Sequence, residues 1–159
     1  MGIKAKFNVN EVVRQATTQA VEDVHRVMFN NLSFVGEEAV KIARERGSYT
    51  DQTGNLRAST GYAVAYNGSV IGDNGFDPNA ATSTKKTRDG GTGAKEGKDL
   101  AVEIASQHKK GYVLVVVAGM NYGKWVEKRN YDVLTFTEAN ARILANELMS
   151  KAFGTAWAG

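Results

Sequence analysis

Tyr62-Ala63-Val64-Ala65-Tyr66-Asn67-Gly68-Ser69-Val70-Ile71 decides the fold. Tyr62, Val64 and Tyr66 alternate with Ala63 and Ala65, the two-residue period of a strand with two distinct faces. Asn67-Gly68 is the strongest short-range signal for a tight hairpin turn, because both residues tolerate positive φ. Val70 and Ile71 continue as the return strand, so residues 58–73 are predicted to form a β-hairpin. A second turn signal, Asp73-Asn74-Gly75, closes it. A further strand is predicted over 111–120, where Val113-Leu114-Val115-Val116-Val117 is β-branched and apolar on both faces. Such a run suits a strand buried on both sides, and this one is expected at the centre of the fold.

Helices are expected at both ends. From residue 8 to 46 the apolar positions Val9, Val13, Ala16, Ala20, Val24, Met28, Leu32, Val35, Ala39 and Ile42 recur every three or four residues. Asn8 followed by Glu11 reads as an N-terminal cap with its N3 carboxylate. Gly47 reads as a stop, and Arg44 and Arg46 suit the negative end of the helix dipole. Asn30, Asn31, Ser33 and Gly36 are weak helix formers, so a kink or break is expected there. A helix this long has more apolar face than local partners, so it is expected to bend back or to pack on other subunits. At the other end, Thr135 and Glu138 form a capping-box pattern ahead of the stripe Ala141, Leu144, Ala145, Leu148 and Ala152. The fold class is therefore α+β: a long N-terminal helix, an antiparallel sheet of about three to five strands, and a C-terminal helix packed on it.

Residues 74–98 are rich in Asn, Asp, Thr, Ser, Gly and Lys, with Phe76 the one large apolar residue. They read as a flexible loop inserted in a single domain spanning 1–159. Asp99 to His108 reads as a short helix carrying Leu100, Ala101, Ile104 and Ala105 on one side; the alternation Leu100, Val102, Ile104 also fits a strand.

The composition sets bounds. The chain has 159 residues, 42 % hydrophobic and 23 % charged, values ordinary for a globular domain. Its 20 Lys and Arg against 17 Asp and Glu give a net charge of +3, too little to compel a nucleic-acid role. It has no cysteine, which excludes disulfides, thiol catalysis and thiolate metal sites. The longest strongly apolar stretch, Tyr112 to Met120, falls far short of the roughly 20 residues a membrane-spanning helix needs. Met1 to Asn10 lacks the apolar core of a secretion signal.

Catalytic constellations are scarce. The two histidines, His25 and His108, read as surface or helix-end residues, and neither belongs to an H-E-x-x-H zinc motif. No G-x-S-x-G nucleophile elbow occurs. Gly90-Gly91-Thr92-Gly93-Ala94-Lys95-Glu96-Gly97-Lys98 fails as a phosphate loop: Thr92 stands where the first Gly should be, and Asp99 where Ser or Thr should follow the Lys. Lys85, Lys86, Arg88, Lys95 and Lys98 share this stretch, so non-specific contact with nucleic acid is an alternative function. Asp77, Asp89, Glu96 and Asp99 dilute the charge, and the aromatic platform of a single-strand binder is missing from the pattern. Glu22-Asp23 and Glu37-Glu38 are adjacent on a helix and do not face each other.

Two clusters remain. One is Thr53-Gly54-Asn55-Leu56-Arg57-Ala58-Ser59. The other is Val113 to Met120 followed by Asn121-Tyr122-Gly123-Lys124-Trp125-Val126-Glu127. Physically, Gly54 can take positive φ in a turn, Leu56 can anchor it in the core, and Arg57 offers a planar fork to a carboxylate such as Glu127. In order and flanking elements the pair resembles the small tail-component, or neck, proteins of tailed bacteriophages with long non-contractile tails. There a long helix leads to a T-G-x-L-R-x-S segment, then a variable loop, a strand, a Y-x-x-[YW]-V-E segment and a C-terminal helix. The resemblance covers most of residues 10–153. The chain departs from it after Glu127, where Lys128-Arg129-Asn130-Tyr131-Asp132-Val133-Leu134 replaces a Gly-Thr turn and a Pro-containing segment.

The resemblance implies a non-enzymatic structural virion protein without cofactor, made in the bacterial host cytoplasm and placed at the head–tail junction. Its partners would be its own copies in a ring, neighbouring connector and tail proteins, and genomic DNA passing through the channel without sequence reading; no membrane is implied. The candidate assembly residues are Arg57, Lys85, Lys86, Arg88, Lys95, Lys98, Trp125 and Glu127.

Overall fold

The computed structural model describes residues 8–46, 54–80, 90–118 and 135–154. In chain order the elements are α1 (Val9–Arg46), a single turn α2 (Asn55–Ala58), β1 (Thr60–Tyr66), β2 (Ser69–Asn74), a 3-10 turn (Pro78–Ala80), α3 (Gly90–Gln107), β3 (Tyr112–Ala118) and α4 (Thr135–Phe153). The strands form an antiparallel sheet in the order β2-β1-β3. Helix α3 covers one face, while α1, with α4 packed against it, covers the other. The α+β class and the two end helices agree with the sequence.

The hairpin forms where Asn67-Gly68 places it. Both residues have positive φ, 52° and 82°, as a tight primed turn requires. The turn is also tied to the start of β3. The Asn67 N–H donates to the Gly111 carbonyl (2.9 Å), and the Gly111 N–H donates to Asn67 Oδ1 (2.8 Å). On β2 the pairing skips Ile71, a bulge between the partners of Val64 and Ala65.

The central strand is β1 and not the valine run. Among the described residues β3 lies at the edge of the sheet, and only Val115 and Val117 of it are buried. β1 is buried along both faces except at Tyr66. Ala63 and Ala65 face α3 together with Val115 and Val117; Tyr62 and Val64 face α1 and α4 with Leu32, Val40 and Met149. Small side chains on one face of β1 let a helix approach closely, so this strand is enclosed despite its modest hydrophobicity.

Helix α1 runs unbroken for 38 residues, so the helix does not break at Asn30–Gly36. Its weak formers have tertiary roles instead. Gly36 leaves room for the Tyr62 ring, which a β-carbon there would strike. The Asn8 cap is present: its Oδ1 accepts from the N–H of Asn10 (3.1 Å) and of Glu11 (3.4 Å). Gly47 lies outside the described residues. In α4, Glu138 reaches forward to Arg142 (2.8 Å). The deepest residue of α4 is Met149, fully buried, with Thr137 next; neither belongs to the predicted stripe.

The largest correction concerns residues 74–98. Residues 90–98 are not loop: α3 starts at Gly90 and settles the helix-or-strand ambiguity of 99–108 as helix to Gln107. Gly93, Gly97, Ala101 and Ala105, spaced four apart, form one buried ridge. A β-carbon at Gly93 would collide with the Asn55 carbonyl oxygen, and one at Gly97 with the Ser59 carbonyl oxygen. The glycines are there so that α3 can seat on the backbone of α2.

Candidate functional site

Of the eight candidate assembly residues, Arg57, Lys95 and Lys98 are described; Lys85, Lys86, Arg88, Trp125 and Glu127 lie outside the described residues. Arg57 sits at a corner built by its neighbours. Gly54 adopts φ 84°, ψ −6°, the left-handed conformation anticipated for it. Leu56 is buried as the anchor. The Ser59 and Thr60 hydroxyls, both buried, each donate to the Leu56 carbonyl at 2.9 Å and so tie the turn to the start of β1.

The Arg57 guanidinium turns to the end of α1. Its Nη1 donates to the Arg44 carbonyl at 2.7 Å, in the last turn of α1. Arg44 reciprocates: Nε donates to the Arg57 carbonyl (3.4 Å), and Nη2 to the carbonyls of Thr60 (3.1 Å) and Gly75. The carboxylate expected for Arg57, Glu127, lies outside the described residues. Two arginines thus lock helix, corner and hairpin together through main-chain oxygens. A planar fork with several fixed donors suits this work, and a lysine would not span it.

Lys95 and Lys98 lie on the exposed side of α3 and not on a loop. Lys98 Nζ reaches Asp73 Oδ1 of β2 at 2.9 Å, which engages one of the two described cations of the proposed basic patch. Half-exposed pairs of this kind contribute about 1 kcal/mol or less.

The histidines divide. His108 is exposed beyond the end of α3, as predicted. His25 is half-buried in an aromatic cluster. It shares a hydrogen bond with the Tyr112 hydroxyl and meets the Tyr66 ring edge-on at 4.8 Å, while Tyr66 and Tyr112 lie 4.7 Å apart. Sequence reasoning missed this because Tyr112 is 87 positions away from His25. Burial holds the Tyr112 hydroxyl above its usual pKa, helped by Tyr66. Burial also raises that of Tyr62, and the charge of nearby Glu37 adds to it. Both phenols therefore remain neutral donors and packing groups through the neutral range. Among the described residues no group of three or more His, Asp or Glu could hold a metal ion. No described helix is long and apolar enough to cross a membrane.

The first half of α1 is the candidate surface. Residues 8–22 are exposed throughout apart from a partly covered Glu11. Val9, Val12, Val13, Val21 and Val24 are about half exposed, 48–58 % each. Past His25 the helix packs on the sheet and α4 through Leu32, Val35, Ala39, Val40 and Ala43. Comparison with protein-family models, curated proteins and solved structures finds no match.

Proposed function

We propose that this chain is a structural assembly protein of a tailed bacteriophage, a subunit of a ring at the head–tail junction that acts in neck formation or tail completion. Two things support the reading. The first is the order in the sequence of long helix, Thr53–Ser59 segment, valine-rich strand, Tyr122–Glu127 segment and C-terminal helix, which resembles that of the neck proteins. The second carries more weight physically: half of the longest helix presents a row of valines to solvent. Exposed apolar rows of this kind mark surfaces made for another protein. Turnover needs a site, whereas ordering of subunits needs only complementary surfaces.

The test is the native mass of the full chain over a concentration series, with and without duplex DNA, followed by a search for the chain in intact particles. A discrete multi-subunit species without DNA, and its presence in virions, is the expected result. A monomer whose mass changes only with DNA, in a salt-dependent way, would replace this reading with the nucleic-acid module.

A further inference from the structure

The apolar stripe on the first half of α1 does not continue the face that packs the core. At about 100° per residue, Val9, Val13, Ala16, Ala20 and Val24 cluster on one side of the helix. His25, Leu32, Gly36, Ala39 and Ala43 define the core-facing side, roughly a third of a turn away. Steps of four from Ala20 through Val24 and Met28 to Leu32 turn the apolar stripe by about 40° each, so its first half is aimed away from the sheet.

The stripe is also symmetric about its middle. Counting outward from the midpoint between Ala16 and Thr17, Ala20 matches Val13 and Val24 matches Val9. The flanking valines match too, Val21 with Val12. If two copies of the helix lie antiparallel about that midpoint, every seam position meets a small or apolar partner. Thr17 has its hydroxyl already donated to the Val13 carbonyl at 2.9 Å, which leaves its methyl group for contact. Asp23 borders the stripe and is held by Arg26 (2.7 Å), while Glu11, on the far side of the helix, pairs with Arg14 (2.9 Å).

We infer that the first half of α1 is a self-association surface, which pairs antiparallel with the same stripe of a second copy about a two-fold axis beside Ala16 and Thr17. Small residues at the centre allow close approach of the helices, and valines close each end. Such a seam removes on the order of 1,000 Å² from water in total, the lower limit for a specific interface, so the pair is concentration-dependent. A two-fold contact joins two copies and does not by itself close a ring, so the inference goes beyond the ring reading and does not rest on it.

The absence of native cysteine makes cross-linking a clean test. In the antiparallel pair Ala16 of one copy lies beside Ala16 of the other, whereas the two Val9 positions are about 22 Å apart. A disulfide needs Cα atoms within about 7 Å. On oxidation of the full chain, A16C is expected to give a covalent dimer, V9C alone none, and an equimolar mixture of V9C with V24C a mixed dimer. Sedimentation is expected to show a dimer that dissociates on dilution. Val13→Asp should raise its dissociation constant at least tenfold, with an unchanged far-UV spectrum. Self-cross-linking of V9C, a monomer at every concentration, or a dimer indifferent to Val13→Asp would each overturn the inference. A ring-sized species that survives Val13→Asp overturns this contact while the ring reading stands.

Discussion

The start of α3 and the start of α1 reverse what their compositions suggest. Gly90–Lys98, glycine-rich and studded with charge, is seated on the backbone of α2. Val9–Val24, periodic and valine-rich, stands in solvent. Burial follows shape as well as hydrophobicity. α3 contributes little side-chain area at Gly93 and Gly97 but gains contact with main-chain atoms that no larger residue can reach. α1 has the apolar area, but its own domain ends before that area begins.

Gly97→Val should produce the largest effect. Helix propensity alone favours a non-glycine residue at this position by a few tenths of a kcal/mol to about 1 kcal/mol. The collision with the Ser59 carbonyl oxygen opposes it and cannot be relieved by a rotamer change, since the obstacle is backbone. Overpacking of this kind costs about 3 kcal/mol, so the net change is a loss of roughly 2 kcal/mol or more, read as a lower urea midpoint. A stabilised Gly97→Val variant would mean that α3 does not sit on α2, and the contrast between the two segments would collapse.

Leu56→Ala probes the other side of the same contact. Leu56 is fully buried, and truncations at such sites cost about 2–5 kcal/mol. The cost here should fall near the lower end, because the α2 turn is short and can settle inward. Gly54→Ala should cost less, about 1–2 kcal/mol, from forcing a β-carbon into φ 84°. Equilibrium denaturation checks both. A Gly54→Ala variant as stable as the parent would remove the left-handed turn from the account of the corner.

Much of this was legible locally. The hairpin is written in Asn67-Gly68, the α1 cap in Asn8, and the left-handed turn in Gly54, because each depends on the backbone needs of its own residues. What was not legible depends on distant partners. The valine run was expected at the centre; the sheet order places Ala63 and Ala65 there, because strand position is set by what packs on both faces. The glycines of α3 read as loop because their reason is a main-chain oxygen far off in sequence, that of Asn55 for Gly93 and that of Ser59 for Gly97. The hold of Arg57 on the Arg44 carbonyl is one that no sequence pattern marks, while its expected carboxylate, Glu127, lies outside the described residues. Of the basic patch, Lys98 is drawn into a contact with β2 that the hairpin alone creates.

The smallest expected effect is the most telling for α1. Leu32→Ala and Val13→Asp both alter an apolar position of one continuous helix, yet they lie on opposite sides of the point where the domain ends. Leu32 is buried between sheet and α4 but at the margin of the core, so its truncation should cost about 2 kcal/mol, the lower end for such sites. Val13 is more than half exposed, and its replacement should change stability by no more than about 0.5 kcal/mol, even with a charge introduced. The measurement belongs at protein concentrations low enough to dissociate any pair, since association would stabilise the parent and exaggerate the loss. A large loss at high dilution would mean that Val13 is covered within its own chain, and the outward-facing stripe would then be core. A null effect at dilution that grows with concentration would separate the two halves of α1 by what each one packs against: its own sheet in one half, another copy in the other.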